Sequence, residues 1–262
     1  MNSRVELLRR RLDQTGVARS GVQKRQKGDI APLSDAQHRM WLHQKLHPAS
    51  GAYNVCIRID LSGDLDESRL VDALAAVVDR HEVLRTTYPT GEDGEPYQQI
   101  HAHLRPAIEI VEDGDPVRVA LKTAGAPFDI GSSSPIRAHL VKVSGTEWSL
   151  IMTVHHIVWD GGCFGNFSRD LSLAYRGSEL EPLPVQYADI ATHLKSPDAR
   201  SAANLDTQMD YWRQVLTPPP PALPLSTIYG RGPRISEQAT RLDRVMPTAR
   251  ATGLRTVAAT LR

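Results

Sequence analysis

The stretch best suited to chemistry is His155-His156-Ile157-Val158-Trp159-Asp160-Gly161-Gly162. It follows the run WSLIMTV (148–154), which is apolar on both faces and predicts a central strand. A strand that runs out into a loop can aim side chains into a cleft while the sheet keeps them rigid. A histidine there can serve as general base, because its unperturbed pKa of about 6.5 lies close to working pH. Asp160 can hold the loop or orient an imidazole. Gly161 and Gly162 permit a tight turn and close backbone approach by a ligand. Two other readings stand beside this one. The histidines can form a hydrogen-bonded core pair. They can also join Asp160 around a metal ion, but adjacent strand residues point to opposite faces and would not both reach one ion.

The elements that must position this stretch can be read from patterning. Pro32-Leu33-Ser34 opens the folded body, with Ser34 as N-cap of a helix through Ala36, Gln37, Met40, Trp41 and Leu42. Residues 53–61 alternate as a half-buried strand. Residues 65–78 place Leu70, Ala73, Leu74, Val77 and Val78 on one helical face. Segments 83–88 and 97–101 flank the turn PTGEDGEP as a hairpin. A short strand over 107–111 and a helix over 116–124 follow, then a second hairpin, 136–143 with 148–154, about Ser144-Gly145. A helix passes through Phe167, Leu171, Leu173 and Ala174, and two more cover 184–195 and 203–216. The run TPPPPALPL (217–225) excludes helix and central strand. Beyond it the patterning gives a strand over 239–245 and a helix from 248. The order is mixed α/β.

Ahead of the body, residues 2–14 predict a short basic amphipathic helix with Val5, Leu8 and Leu12 on one face, followed by a polar, Gly-containing stretch. This arm reads either as a solvated tail or as a docking or linker element. The 31 basic and 30 acidic residues leave a net charge of +1, which gives no support to nucleic acid or an anionic membrane as partner. No apolar run approaches the roughly 18 residues of a membrane span, and the first residues lack the apolar stretch of a secretory signal. Cys56 and Cys163 are too few for a disulfide framework or a Cys-rich zinc site. The expected location is the cytoplasm, and no metal site is expected.

The His155–Gly161 stretch matches the HHxxxDG signature of the condensation domains of nonribosomal peptide synthetases, and further stretches resemble that family in the right order. Residues 34–41 (SDAQHRMW) resemble its opening SxAQxRMW motif. Residues 80–88 (RHEVLRTTY) resemble its RHExLRTxF motif. Residues 186–190 (QYADI) resemble its later YxDYA-type motif, with Ile190 in place of the tyrosine. Nothing resembles the IGxFVNT stretch of the family's second lobe. The resemblance therefore implies a chloramphenicol-acetyltransferase-like lobe, a mixed sheet flanked by helices, which is one of the two lobes of a condensation domain. On that reading residues 1–31 are a helical linker or docking arm, 32–216 the amino-terminal lobe, and 217–262 a Pro-rich crossover and the start of a truncated second lobe. Leu254, Val257 and Leu261 then form an apolar stripe without its partner.

The resemblance also implies roles. The reaction is amide formation between a carrier-bound acyl or peptidyl thioester and a carrier-bound aminoacyl group. No cofactor is bound directly; both substrates ride on phosphopantetheine arms. His156 would accept the amine proton or position the amine. Gly161 would present its backbone N–H to the oxyanion. Asp160 would be held by a salt bridge from Arg80 or Arg85. His155 would point the other way as a structural residue, with Trp159 and Cys163 as packing groups. The implied partners are donor and acceptor peptidyl carrier proteins, adjacent adenylation and carrier domains, and the second lobe. The isolated chain is expected to be inactive. Alternatives are a non-catalytic, carrier-binding lobe, a starter condensation domain that N-acylates an amino acid with a fatty acyl group, and a related acyltransferase using coenzyme A.

Overall fold

The computed structural model describes residues 22, 24, 25, 28, 30–106, 108–196, 205–221 and 245–260. The helix predicted over 2–14, and all of the strand predicted over 239–245 except Val245, lie outside the described residues.

The chain enters through a short strand, β1 (Ile30–Pro32), and turns at Ser34 into helix α1 (Asp35–Leu46). Ser34 and Gln37 form a reciprocal capping box. The serine hydroxyl accepts from the Gln37 amide at 3.2 Å, and the Gln37 side-chain oxygen accepts from the Ser34 amide at 3.1 Å. Strand β2 (Asn54–Ser62) leads to α2 (Glu67–Arg80), whose amide at Arg69 is capped by Asp66 at 3.0 Å. The residues that the periodicity places on the apolar face of α2, Leu70, Ala73, Leu74, Val77 and Val78, are all buried.

The hairpin that follows is shorter than its sequence pattern predicts. Residues Glu82–Arg85 form a 3-10 turn, closed by Leu84 N–H donating to His81 O at 2.9 Å, so only β3 (Thr86–Thr87) is strand. β3 pairs antiparallel with β4 (Tyr97–Ile100), and β1 takes the other edge, giving the order β1-β4-β3.

The larger sheet holds the site. Strand β5 (Ile108–Val111) runs through helix α3 (Pro116–Gly125) into β6 (Ile136–Lys142), and a tight turn returns the chain as β7 (Glu147–His155). The order is β2-β7-β6-β5, antiparallel except for β5 and β6, which are parallel as a strand–helix–strand crossover requires. The sheet is therefore mixed, and β7 is central. Trp148, Leu150, Met152 and Val154 of β7 join α2 in the main core. The alternate residues face α3, which lies against β2 and β7. Asn54 fixes that side by donating to the carbonyls of Ala124 and Ala126, each at 2.8 Å.

After β7 a 3-10 turn, His156–Val158, passes into α4 (Cys163–Tyr175), which packs on α2. Helix α5 (Tyr187–Lys195) follows, starting later than the sequence pattern predicts, and sits against β1. Arg25, ahead of β1, donates to Asp189 of α5 at 2.8 Å and to Glu82 at 2.7 Å. Helix α6 (Leu205–Val215) leaves Met209, Tyr211, Trp212 and Val215 exposed, and residues 217–221 are non-helical. Two compact units divide at residues 220/221. In the second, α7 (Thr248–Thr260) is described, with Leu254 and Val257 exposed; Leu261 lies outside the described residues.

Candidate functional site

The two histidines sit where β7 ends, and each is tethered by its backbone to a neighbouring strand. His155 N–H donates to Pro135 O at 2.9 Å, just ahead of β6. His156 N–H donates to Tyr53 O at 2.8 Å, just ahead of β2. The sheet thus fixes the position of both residues, and their side chains meet different surroundings.

His155 is buried on the α3 side of the sheet at 1% exposure. Its Nδ1 accepts the Ile157 amide at 3.1 Å, which leaves the proton of the neutral ring on Nε2. That Nε2 is buried and unpartnered among the described residues. Burial, with the nearby His156 and His43, pushes its pKa down to about 4. Phe128 meets the ring edge-to-face at 6.0 Å. His155 is a neutral core imidazole, not a base poised near pH 7.

His156 opens the 3-10 turn and is half-buried. Among the described residues no hydrogen bond reaches its ring, and its Nδ1 is buried. The Tyr53 ring stands perpendicular to it, with ring centroids 6.4 Å apart.

Asp160 and Gly161 lie on the exposed loop that follows. The Asp160 carboxylate accepts from the Gly162 amide at 2.8 Å, the Cys163 amide at 3.2 Å and the Cys163 thiol at 3.2 Å. The thiol, these amides and His156 together hold the Asp160 carboxyl below the usual range, against slight burial. The amides belong to the start of α4, so the aspartate caps that helix and closes the loop. Burial pushes the Cys163 thiol up, and the adjacent carboxylate adds to this, so the group is no activated nucleophile.

The structure corrects one expectation. Neither Arg80 nor Arg85 pairs with Asp160. Arg80 donates to the carboxylate of Asp170, in the middle of α4, and to Glu181 O at 2.8 Å. Arg85 donates to His101 O and lies 3.9 Å from Glu82. The physical reason is burial. Asp160 is solvent-exposed and satisfied by backbone amides, whereas Asp170 is 0% exposed and needs a cation. His81, next to Arg80, also reaches Asp170 at 2.8 Å. Burial raises the Asp170 carboxyl, and His81, Arg80 and Arg169 more than offset it, so the pKa falls below the usual range.

Sequence reasoning missed Asp170, although a signal was available. It lies three residues after Phe167 on the inward face of α4, where a carboxylate demands a partner. It also missed Tyr53, and Gln37 as a connector. Gln37 is buried, and its Nε2 faces Tyr88 Oη at 3.1 Å and Ile157 O at 3.4 Å. The opening stretch, the end of RHEVLRTTY and the turn after His156 thus meet at one side chain.

Among the described residues no cluster of three His, Cys, Asp or Glu could hold a metal ion, and no helix is long and apolar enough to cross a membrane. A family model described as Condensation domain matches residues 27–259. The chain is 34% identical over 242 residues, 88% of its length, to a probable non-canonical nonribosomal peptide synthetase, CymA, of Salinispora arenicola (strain CNS-205). It spans 3% of that protein and at most 22% of the other curated relatives compared. A solved complex of the X-domain and OxyB from teicoplanin biosynthesis superposes with a TM-score of 0.65 at 30% identity, covering 77% of this chain and 46% of that one. The first condensation domain of the CDA synthetase has the same fold, with a TM-score of 0.64 at 21% identity over 74% of this chain and 52% of that one. Because that family model matches residues 27–259, most of the sequence, the chain belongs to the condensation-domain family.

Proposed function

We propose that this chain supplies the histidine-bearing half of an amide-forming site in nonribosomal peptide synthesis. An aminoacyl amine on one carrier's phosphopantetheine arm attacks the acyl or peptidyl thioester on another. The C–N bond forms as the C–S bond breaks, and the proton leaving nitrogen passes by His156 to the departing thiolate. General-base assistance of this kind is worth about 10²–10⁴ in rate, with positioning of the two tethered substrates adding to it. Gly161 presents its backbone N–H to the oxyanion. Asp160 holds the loop, and His155, Arg80 and Arg85 support the fold around it. The observation that carries this reading is the half-buried His156 ring, with no hydrogen bond among the described residues, beside a fully buried, neutral His155. The test is a single-turnover assay with both carriers loaded, on a complete condensation domain containing this chain. His156→Ala should abolish amide formation while carrier binding persists; near-parent turnover would refute the role.

We further propose residues 1–31 as a linker or docking arm, fastened at Arg25, residues 32–216 as the amino-terminal lobe, and residues 217–262 as the crossover and the start of the second lobe. Support comes from the chain spanning about half of the solved domains it resembles. A single lobe gives one wall of the substrate channel, leaving the amine wet and poorly oriented, so the isolated chain should not turn over. Turnover by a monomer at rates near the full domain would overturn this. A second reading, a lobe that binds a partner protein without turnover, is favoured by the X-domain's solved complex with OxyB and by the exposed Tyr211 and Trp212 of α6. Carrier or partner binding that persists without amide formation by the complete domain would select it.

A further inference from the structure

We propose that Tyr53 is the positioning residue that holds the His156 ring in its working orientation. The proposal rests on the reading that His156 serves the reaction. An imidazole used as a base is ordinarily oriented by a hydrogen bond on its second nitrogen. Here the Nδ1 of His156 is buried, and among the described residues it has no such partner. The orienting contact is aromatic instead. The Tyr53 ring stands perpendicular to the His156 ring at 6.4 Å, within the range of favourable edge-to-face pairs. The same residue accepts the His156 amide on its carbonyl at 2.8 Å, so backbone and ring are held by one neighbour.

Tyr53 is itself held firmly. Its ring is perpendicular to that of His43 at 4.9 Å and lies 6.1 Å from that of His155. The next residue, Asn54, is pinned by its two bonds to the last turn of α3 and the residue that follows it. Gly51 lets the chain pass close beneath. A Cβ there would lie 3.0 Å from Ala124 O and 3.1 Å from Gly125 O, tighter than ordinary contact. The entry into β2 is therefore a fixed platform, and the ring on it sits between a buried histidine and the working one. A ring contact restricts rotation of the imidazole without engaging either nitrogen in a hydrogen bond. That is what a base with no carboxylate behind it requires.

The test uses Tyr53→Phe and Tyr53→Leu. Phe keeps the ring, and Leu keeps apolar bulk without it. In the single-turnover assay on the complete domain, Tyr53→Phe should retain the parent rate. Tyr53→Leu should lose up to about a hundredfold in turnover, the scale of a misplaced catalytic group, with the apparent KM for the loaded carriers unchanged. On the 262-residue chain itself, NMR should show the His156 ring protons losing their aromatic shift and broadening in Tyr53→Leu but not in Tyr53→Phe. Thermal melts of both variants exclude simple unfolding. If His156→Ala is inactive while Tyr53→Leu turns over like the parent with an unshifted His156 spectrum, the proposal fails and the role of His156 stands. If His156→Ala is itself active, the underlying reading fails instead.

Discussion

Arg80 and Asp170 form an ion pair that joins the last residue of α2 to the middle of α4, with Asp170 fully buried and His81 at 2.8 Å on the same carboxylate oxygen. The pair ties the RHEVLRTTY stretch to the helix that leaves the signature loop. Its role is to set where that helix, and so the loop ahead of it, can lie.

Removing one partner of a buried pair strands the other charge, at a cost of about 3–5 kcal/mol. Asp170→Ala should lower stability on that scale, Arg80→Ala should cost less because His81 and Arg169 still reach the Asp170 carboxylate, and the double variant should lose less than the sum of the two. Asp170 also predicts an acid limb. Its carboxyl is held low in the folded chain, so its contribution is complete above the unfolded value near 4 and is lost as pH falls through the folded value. Urea melts from pH 6 to pH 3 should show Asp170→Asn with a shallower acid decline. An equally steep decline would mean that the pair contributes nothing there.

Asp160 should behave as a cap rather than as half of a salt bridge. Asp160→Ala should cost about 1 kcal/mol, the usual loss on removing a helix cap. Asp160→Asn should cost less, because the amide oxygen still accepts from Gly162 and Cys163. A double-mutant cycle with Arg80→Ala should be additive within about 0.5 kcal/mol. Coupling above 1 kcal/mol would restore the salt bridge implied by the family resemblance.

Structure is legible in this sequence where periodicity and caps act locally. Ser34 as an N-cap, the α2 stripe ending at Val78, and the doubly apolar run 148–154 all specify their elements without outside help. Pairing between charged groups far apart in sequence is not legible in this way. Arg80 and Asp170 are 90 residues apart, and the periodicity that turns Asp170 inward does not by itself name Arg80 as its partner. Burial decides that choice, and burial is a property of the assembled fold. Tyr53 was missed for the same reason: it reads only as the first residue of a strand until β2 and β7 pair and bring it beside His156.

Gln37 should be disproportionately sensitive for a helix residue. Its side chain satisfies the Ser34 amide and reaches the Tyr88 hydroxyl, which burial keeps protonated. Gln37→Leu keeps the bulk but leaves buried polar groups unpaired, each costing about 1–3 kcal/mol. Thermal unfolding should show a loss larger than that of Ser34→Ala, which removes the cap and one hydrogen bond to the Tyr187 hydroxyl. The reverse order would show that the buried contacts of Gln37 are weaker than the cap.

His155 gives the clearest pH prediction. Its pKa falls from 6.5 unfolded to about 4 in the folded chain, because burial disfavours the charged ring. Between those values the unfolded chain binds a proton that the folded chain does not, so stability must rise with pH across that window. The contribution is complete above about 6.5 and lost progressively as pH falls towards 4, on the order of 3 kcal/mol in all. His155→Gln removes the titrating group. It should be less stable than the parent at pH 7.5, because the fit beside Phe128 and the acceptor for Ile157 are altered, and the gap should narrow as pH drops from 6.5 to 4. Chemical denaturation at several pH values measures the gap directly. An NMR titration of the His155 ring gives an independent midpoint, expected near 4. A gap that stays constant across the window, or a midpoint near 6.5, would mean that His155 is hydrated and free to charge. It would then lose its distinction from His156.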